Sequence, residues 1–472
     1  MRVCIVGTGA SGWLCCNYLK HQPFVDEITI IGSSKIPTIG VGESTTLEVE
    51  KLLRFLVQQG DFEFSDFIRE SHATIKYGVM YENWSKHTFI HHFKSLKHWK
   101  SDRDYLEYGQ SLLNKDPDAN IHEYIGSHLL EFVLENKISL DDQDYPTAFH
   151  FDAAQFIKFM SGVALRHPKV KFIDGIVRGG NIKDDEVNSI NVNGKNIESD
   201  YFIFATGDNK LNVDFLGIEY TSLDKYLLTN KAVVYPLKFQ NKREQIHPYT
   251  VAKTMDNGWR WITPIWTRVG TGYVFSNNHI SEDEAVHEFL TDIGDHTLTP
   301  NVVDFYPKYN KRCFRKNWCT LGMSQGFLEP LDAPGLTITA QTIVEYLHNA
   351  IQYKNIVSNY NYMINEYNSL IEKKHLLWMS FILCQYKTSH RNHTQFWKDH
   401  KNVQCEYYDN LISSIKDVKD DSNAAFMFYQ TIAAKGHNIP VSNNNKPKKS
   451  QDTFIHEKIH HQDFIDGFHF QI

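Results

Sequence analysis

No apolar run in this chain of 472 residues approaches the roughly 20 residues needed to cross a bilayer, so a membrane-spanning protein is not expected. Nor is there an excess of positive charge. The 49 Lys and Arg against 56 Asp and Glu give a formal net charge of −7, whereas binding nucleic acid calls for a basic face. The cysteines number seven and are scattered except for Cys15-Cys16. They offer no disulfide framework and fit a reducing cytoplasm. One arginine and then a strand-like run open the chain, which does not read as a signal peptide. No internal repeat is found. Aromatics are what the sequence has in plenty: 30 Phe, 24 Tyr and 9 Trp, enough to fill a core and line a pocket. The length exceeds what one hydrophobic core usually serves, so two packed lobes are expected.

The apolar run 2–6 ends in Gly7-Thr8-Gly9-Ala10-Ser11-Gly12, an apolar-periodic stretch follows to about Leu19, and a second strand runs from Glu27 to Ile31. Strand, glycine turn, helix and strand together make this motif a dinucleotide loop rather than a chance match. Its glycines permit a tight turn and close backbone approach to a pyrophosphate, with the helix N-terminus facing the phosphates. The acidic residue that usually follows about 20 positions later, to accept the ribose hydroxyls, is absent. Gly32 ends the second strand and Ser33 and Ser34 follow. Either a serine hydroxyl takes over the contact or the adenosine grip is weak, as suits a flavin that arrives and leaves reduced.

Six further segments carry candidate chemistry. Lys76 sits in Thr74-Ile75-Lys76-Tyr77-Gly78, an apolar setting for an amine; an isolated lysine of this kind more often lies at a strand edge with its head in water. Trp259 and Trp261, in Gly258-Trp259-Arg260-Trp261-Ile262-Thr263-Pro264, share a face if the segment is a strand, which also fits two core aromatics beside a hairpin. Gly40-Val41-Gly42-Glu43-Ser44-Thr45 is a second small-residue loop, and Gly326-Phe327-Leu328-Glu329-Pro330-Leu331-Asp332-Ala333-Pro334-Gly335 a third. Phe149-His150-Phe151-Asp152-Ala153 and the strand-like Ile203-Phe204-Ala205-Thr206-Gly207-Asp208 complete the set.

Together these segments resemble the flavin-dependent halogenases, the tryptophan halogenase family. The resemblance spans residues 1–397, with Tyr386, Arg391 and Phe396-Trp397 similar to the family's C-terminal helical pattern. It implies an α/β fold: a flavin monooxygenase-like FAD-binding lobe of Rossmann type with an inserted β-sheet, and a helical C-terminal lobe. The expected boundaries are 1–345 for the FAD-binding lobe, 346–442 for the helical lobe and 443–472 for a linker and tail. The cofactor would be FAD, arriving as FADH2 from a separate flavin reductase, with O2 and a halide ion as co-substrates. Gly7, Gly9, Ala10, Ser11, Gly12, Ser33, Thr206, Gly207 and Leu328 would hold it, under a strap of Gly40, Val41, Gly42 and Glu43. A flavin hydroperoxide would oxidise halide to hypohalous acid, which Lys76 would receive by hydrogen bonding or as a haloamine. Trp259 and Trp261 would wall the flavin off from substrate. His91 and Phe93 would stack a small arene such as an indole or phenol, and Asp332 would stabilise the cationic intermediate or remove its proton.

The chain departs from that pattern at several positions. Thr263 replaces an isoleucine. Asp332 stands where the family has glutamate, so its carboxylate is set back by about 1–1.5 Å, a distance at which misplacement matters. Halide would rest on amides at Pro334 and Gly335, but proline has no amide hydrogen, and only Gly335 transfers intact. No match is identified for the residues that grip the amino-acid end of tryptophan, so free tryptophan is not the expected substrate. Loss of one halide donor favours bromide or iodide over chloride. A flavin hydroxylase and a non-catalytic flavin carrier or sensor are the competing readings. His456-Glu457-Lys458-Ile459-His460 fits the metal pattern HExxH, yet it follows a linker-like run and no third ligand is placed. A solvated helix or a docked tail is expected there, and no metal. A homo-oligomer is compatible with the sequence.

Overall fold

Arg2–Val6 is buried at every position after its first. A strand apolar throughout rather than alternating is covered on both faces, and this one lies at the middle of a parallel sheet. A computed structural model describes residues 1–36, 43–93, 133–139, 147–417 and 458–469, with a few isolated positions between them. The chain divides into two units, each gathered from three stretches: residues 1–73, 151–223 and 306–375 in the first, and 74–150, 224–305 and 376–472 in the second.

In the first unit the sheet runs in the order Trp318–Thr320, Tyr201–Phe204, Arg2–Val6, Glu27–Gly32 and Val170–Asp174, with every pair parallel. The helix Ala10–Leu19 is buried at eight of its ten residues, so it lacks the polar face of a surface helix. It packs on Ala153–Leu165, joined by Asn17 Nδ2 donating to the Met160 carbonyl at 2.9 Å. Asp152 caps that second helix, accepting from the amides of Ala154 and Gln155 at 3.0 Å each. The Phe149–Ala153 segment thus owes its aspartate to helix initiation. The antiparallel strands Val177–Lys183, Glu186–Val192 and Lys195–Ile197 bury Val187, Ile190 and Val192 against Cys4, Phe204 and Trp318.

The second unit holds a seven-stranded sheet: Asn301–Asp304, Lys231–Leu237, Arg268–Phe275, Gly258–Ile265, Thr250–Met255, Gly78–Glu82 and Phe89–His92. Its one parallel pair joins Thr250–Met255 to Gly78–Glu82, and the rest are antiparallel. Against it pack Tyr386, Phe396, Trp397 and His400, rings 4.0 to 5.9 Å apart. Trp397 Nε1 donates to the Met255 carbonyl at 3.0 Å, fastening its helix to a strand, and Trp84, whose Nε1 donates to the Ala252 carbonyl at 2.9 Å, packs edge-on against Trp397. The helical region opens at Pro334–Gln341, passes through a π-helical turn at Thr342–Leu347 and breaks between His348–Tyr353 and Tyr360–Lys387. All seven cysteines are buried and none forms a disulfide. Among the described residues no helix is long and apolar enough to cross a membrane.

Candidate active site

The nucleotide loop of the first unit has the shape its glycines require. Gly7 has φ +121°, and a Cβ there would fall 2.0 Å from the Ala205 carbonyl oxygen. At Gly12 a Cβ would meet the Gly7 oxygen at 2.1 Å. Around Gly9 nothing lies within 4 Å, which leaves the backbone open where a pyrophosphate would approach. Gly9 is also the N-cap of the Ala10–Leu19 helix, with no side-chain cap and no acidic residue in the first turn. The first amides and the positive end of the helix are thereby available to an anion. Ser11 faces Gly322, where a Cβ would lie 2.4 Å from its hydroxyl. Thr206 donates to Asn212 at 2.6 Å and Asn212 to the Gly207 carbonyl at 2.9 Å, fixing the second return of the chain. Leu328 is buried. These residues fit a dinucleotide such as FAD. Gly40, Val41 and Gly42 lie outside the described residues, as does the side chain of Glu43.

The missing ribose carboxylate has a steric side. A Cβ at Gly32 would meet the Thr8 Oγ1 at 2.2 Å and the Thr8 Cβ at 2.7 Å. Ser33 accepts from the Lys35 amide at 3.2 Å. A carboxylate does stand beside this turn, on the next strand: Asp174 accepts from the Ser34 amide at 3.1 Å and the Ser34 hydroxyl at 2.9 Å, contacts that hold its carboxyl below the usual range. Restoring an acid at position 32 is therefore expected to fail. Gly32→Asp should weaken FAD binding by about tenfold through displacement of Thr8, and Gly32→Asp combined with Thr8→Gly should recover it. Titration of the apoprotein with FAD measures both, and tighter binding by the single variant would refute the steric account.

The loop from Gly326 ends in two consecutive left-handed residues, Asp332 at φ +61° and Ala333 at φ +58°. Such a conformation is tolerated by aspartate and strained for alanine. Asp332 is buried. Pro334 opens the helix Pro334–Gln341, where its missing N–H is one the helix would leave unpaired anyway. Thr337 donates to the Ala333 carbonyl at 2.8 Å and meets Thr46 at 2.7 Å, pinning the first turn. At Gly335 nothing lies within 4 Å of a built Cβ. A cavity of about 10 Å³ is lined by Phe327, Leu328, Pro334, Gly335 and His375 among others. His375 has no sequence signal. Burial lowers its pKa to about 4, so the ring is neutral, with Nδ1 donating to the Ile371 carbonyl at 2.9 Å.

In the second unit Lys76 has no exposed surface, although a lysine head is normally in water. Its strand, Thr74–Lys76, pairs antiparallel with Ala148–Phe151. The Thr74 hydroxyl donates to the Pro264 carbonyl at 2.6 Å, which ties the lysine strand to the tryptophan strand. That leaves the Thr74 oxygen to accept from His150 Nδ1 at 3.2 Å, so His150 Nε2 accepts a hydrogen bond from the Thr250 hydroxyl at 2.8 Å. Burial, reinforced by the charge of Lys76, pushes His150 well below its ordinary pKa. It stays neutral. The ring of Phe93 lies 5.0 Å from Lys76 Nζ, a cation–π distance. His91 is buried with its ring 5.0 Å from Phe381. Trp259 and Trp261 occupy one strand, Gly258–Ile265, as their spacing predicts, and both are buried with ring centroids 6.3 Å apart. Trp261 lies over Gly272, where a Cβ would be 2.1 Å from its ring. Thr250 and His461 belong to no motif; the sequence singles out the segments that hold Thr74 and His150 without showing the role of either.

Of the HExxH run, His456 and Glu457 lie outside the described residues. Lys458–His460 is a strand paired with Lys137–Ser139, which replaces the solvated helix with the docked tail. Among the described residues no group of three metal-ligating side chains forms.

A family profile for tryptophan halogenases matches residues 2–440. The chain is 26% identical over 438 residues to the 7-chloro-L-tryptophan 6-halogenase of Kutzneria sp. strain 744, covering 84% of this chain and 81% of that protein. It is 25% identical over 435 residues to the tryptophan 7-halogenase of Lentzea aerocolonigenes, covering 85% and 79%. Among solved structures, the tryptophan 6-halogenase of Streptomyces toxytricini superposes with a TM-score of 0.81 at 23% identity, covering 93% of this chain and 91% of that one. A flavin-dependent halogenase from Xanthomonas campestris gives 0.80 at 21%, covering 99% and 94%. These two likenesses establish the fold.

Proposed function

The chain belongs to the tryptophan halogenase family, and from that premise we propose that it halogenates an electron-rich arene with Lys76 as the carrier of the activated halogen. The observation behind this reading is a lysine without exposed surface, on a strand fixed to the tryptophan strand through Thr74. FAD, when bound as FADH2, supplies the electrons that let O2 oxidise halide to hypohalous acid. The chain's own residues do the rest. The glycine loop and the Ala10–Leu19 helix start hold the pyrophosphate. Trp259 and Trp261 screen the oxidant from free reaction with substrate. Lys76 takes the halogen and releases it to the arene carbon, and Asp332 accepts the arene proton. Phe93, beside Lys76 Nζ, is the aromatic face on which a planar substrate stacks.

The family relatives are named for tryptophan, but the residues that grip its amino-acid end are unmatched here. The proposed substrate is an indole or phenol without that end, with a separate reductase supplying FADH2. Incubating enzyme, reductase, FAD and bromide with an arene panel tests this. A bromine isotope doublet supports halogenation, a gain of one oxygen would make the protein a hydroxylase, and no product despite bound flavin would make it a carrier or sensor.

Halide choice follows from Pro334. Stripping water from an anion is repaid only by fixed donors, and chloride is more tightly hydrated than bromide or iodide. With proline first in the Pro334–Gln341 helix and alanine before it, one amide and one hydroxyl are lost. Bromide is expected to be used about tenfold faster than chloride at equal concentration, the size of one missing hydrogen bond. Competition assays read the ratio of products directly, and predominantly chlorinated product would contradict the argument.

A further inference from the structure

The strand Lys458–His460 and the helix His461–His469 are attached to the second unit from outside and inside. Outside, Arg243 makes a two-pronged ion pair with Asp463 at 2.8 and 3.1 Å. His469 stacks on Trp266 with centroids 4.2 Å apart and 8° between planes. Inside, His461 is fully buried, and its amide donates to the Asn136 carbonyl at 2.7 Å. Its Nδ1–H donates to the Ile246 carbonyl at 2.7 Å. That bond fixes the tautomer and leaves Nε2 as an acceptor, and Nε2 accepts the Ile75 amide at 2.9 Å.

Ile75 directly precedes Lys76. The next amide on the same edge of the strand, that of Tyr77, donates to the Pro248 carbonyl at 2.9 Å. The lysine is thus held on both sides along one edge, with the tail providing one of the two anchors. Burial lowers the pKa of His461 to about 3, so the accepting lone pair is present throughout the working pH range.

We propose that His461 is a positioning residue, through which the C-terminal helix holds the strand that presents Lys76, and that it serves halogen transfer but not flavin binding. The proposal rests on Lys76 being the halogen carrier. Displacing a reacting group by about 1 Å costs on the order of 100-fold in rate, whereas the nucleotide loop has no hydrogen bond to the tail among the described residues.

The test compares full-length wild type, His461→Leu, His461→Gln and Lys76→Met. For each, FAD affinity, thermal midpoint, bromide oxidation trapped by a small diffusible acceptor, and kcat for arene bromination are measured. His461→Leu should lower arene kcat by about 10- to 100-fold with FAD affinity and bromide oxidation within about twofold of wild type. His461→Gln, which keeps a donor and an acceptor, should regain most of the loss. Wild-type kcat in His461→Leu, or equal loss in both His461 variants, overturns the proposal. If His461→Leu does not fold, the Arg243→Ala/Trp266→Ala double variant loosens the tail from outside. It should lose roughly 3- to 10-fold in arene kcat alone, and an unchanged rate counts against the proposal. Lys76→Met separates the two ideas. If it still brominates arene, the lysine reading fails; if it is dead while His461→Leu is active, only the tail proposal fails.

Discussion

Lys76→Ala should reduce arene halogenation by at least about 100-fold while bromide is still oxidised and FAD still binds. In the proposed reading the glycine loop holds FAD, whereas Lys76 lies on a three-residue strand with every residue buried. Removing the amine leaves the oxidant without its carrier and does not touch Gly7, Gly9 or Gly12. Alanine also opens a cavity in a buried site, which costs stability of its own. Lys76→Met, of similar volume, isolates the chemical effect. The measurement is product mass together with trapping of free hypohalous acid. Substantial arene halogenation by Lys76→Met would remove the lysine from the mechanism.

Gly7→Ala should be the most damaging change in the nucleotide loop. At φ +121° with 2.0 Å between a Cβ and the Ala205 oxygen, alanine suffers both backbone strain and collision with the backbone just beyond the Tyr201–Phe204 strand. The expected cost is about 3 kcal/mol or more, with FAD binding lost along with the turn. Gly9→Ala provides the contrast, because a Cβ there meets nothing within 4 Å. It should leave the thermal midpoint within a few degrees of wild type yet weaken FAD, since the methyl occupies the space left for the pyrophosphate. Thermal unfolding and FAD titration on both variants separate the two effects. Equal stability of Gly7→Ala and wild type would refute the packing account.

What the sequence made legible follows from range. The Gly7–Gly12 motif, its flanking strands and the helix to Leu19 are local features, and local periodicity and turn chemistry predict them. The Trp259/Trp261 pair is legible because a strand places residues two apart on one face. The anchors of Lys76 are not local. Thr74 reaches Pro264 across 190 positions and Ile75 reaches His461 across 386, and neither contact leaves a spacing that a single sequence displays. The tail was hard to read for a second reason: a histidine-rich run after a polar linker has the composition of a solvated segment. Asp332 and Ala333 show a third limit. Nothing in residue type announces two left-handed residues in succession when neither is glycine.

The burial of all seven cysteines has a bearing on durability. On the proposed mechanism hypohalous acid, an agent that attacks thiolates, forms within the protein, and susceptibility follows exposure and ionisation. Here the two defences coincide, since burial keeps oxidant out and also pushes Cys4, Cys16 and Cys313 up to about 12, so these thiols stay protonated. The same packing that completes the core therefore also shields the thiols from such an oxidant.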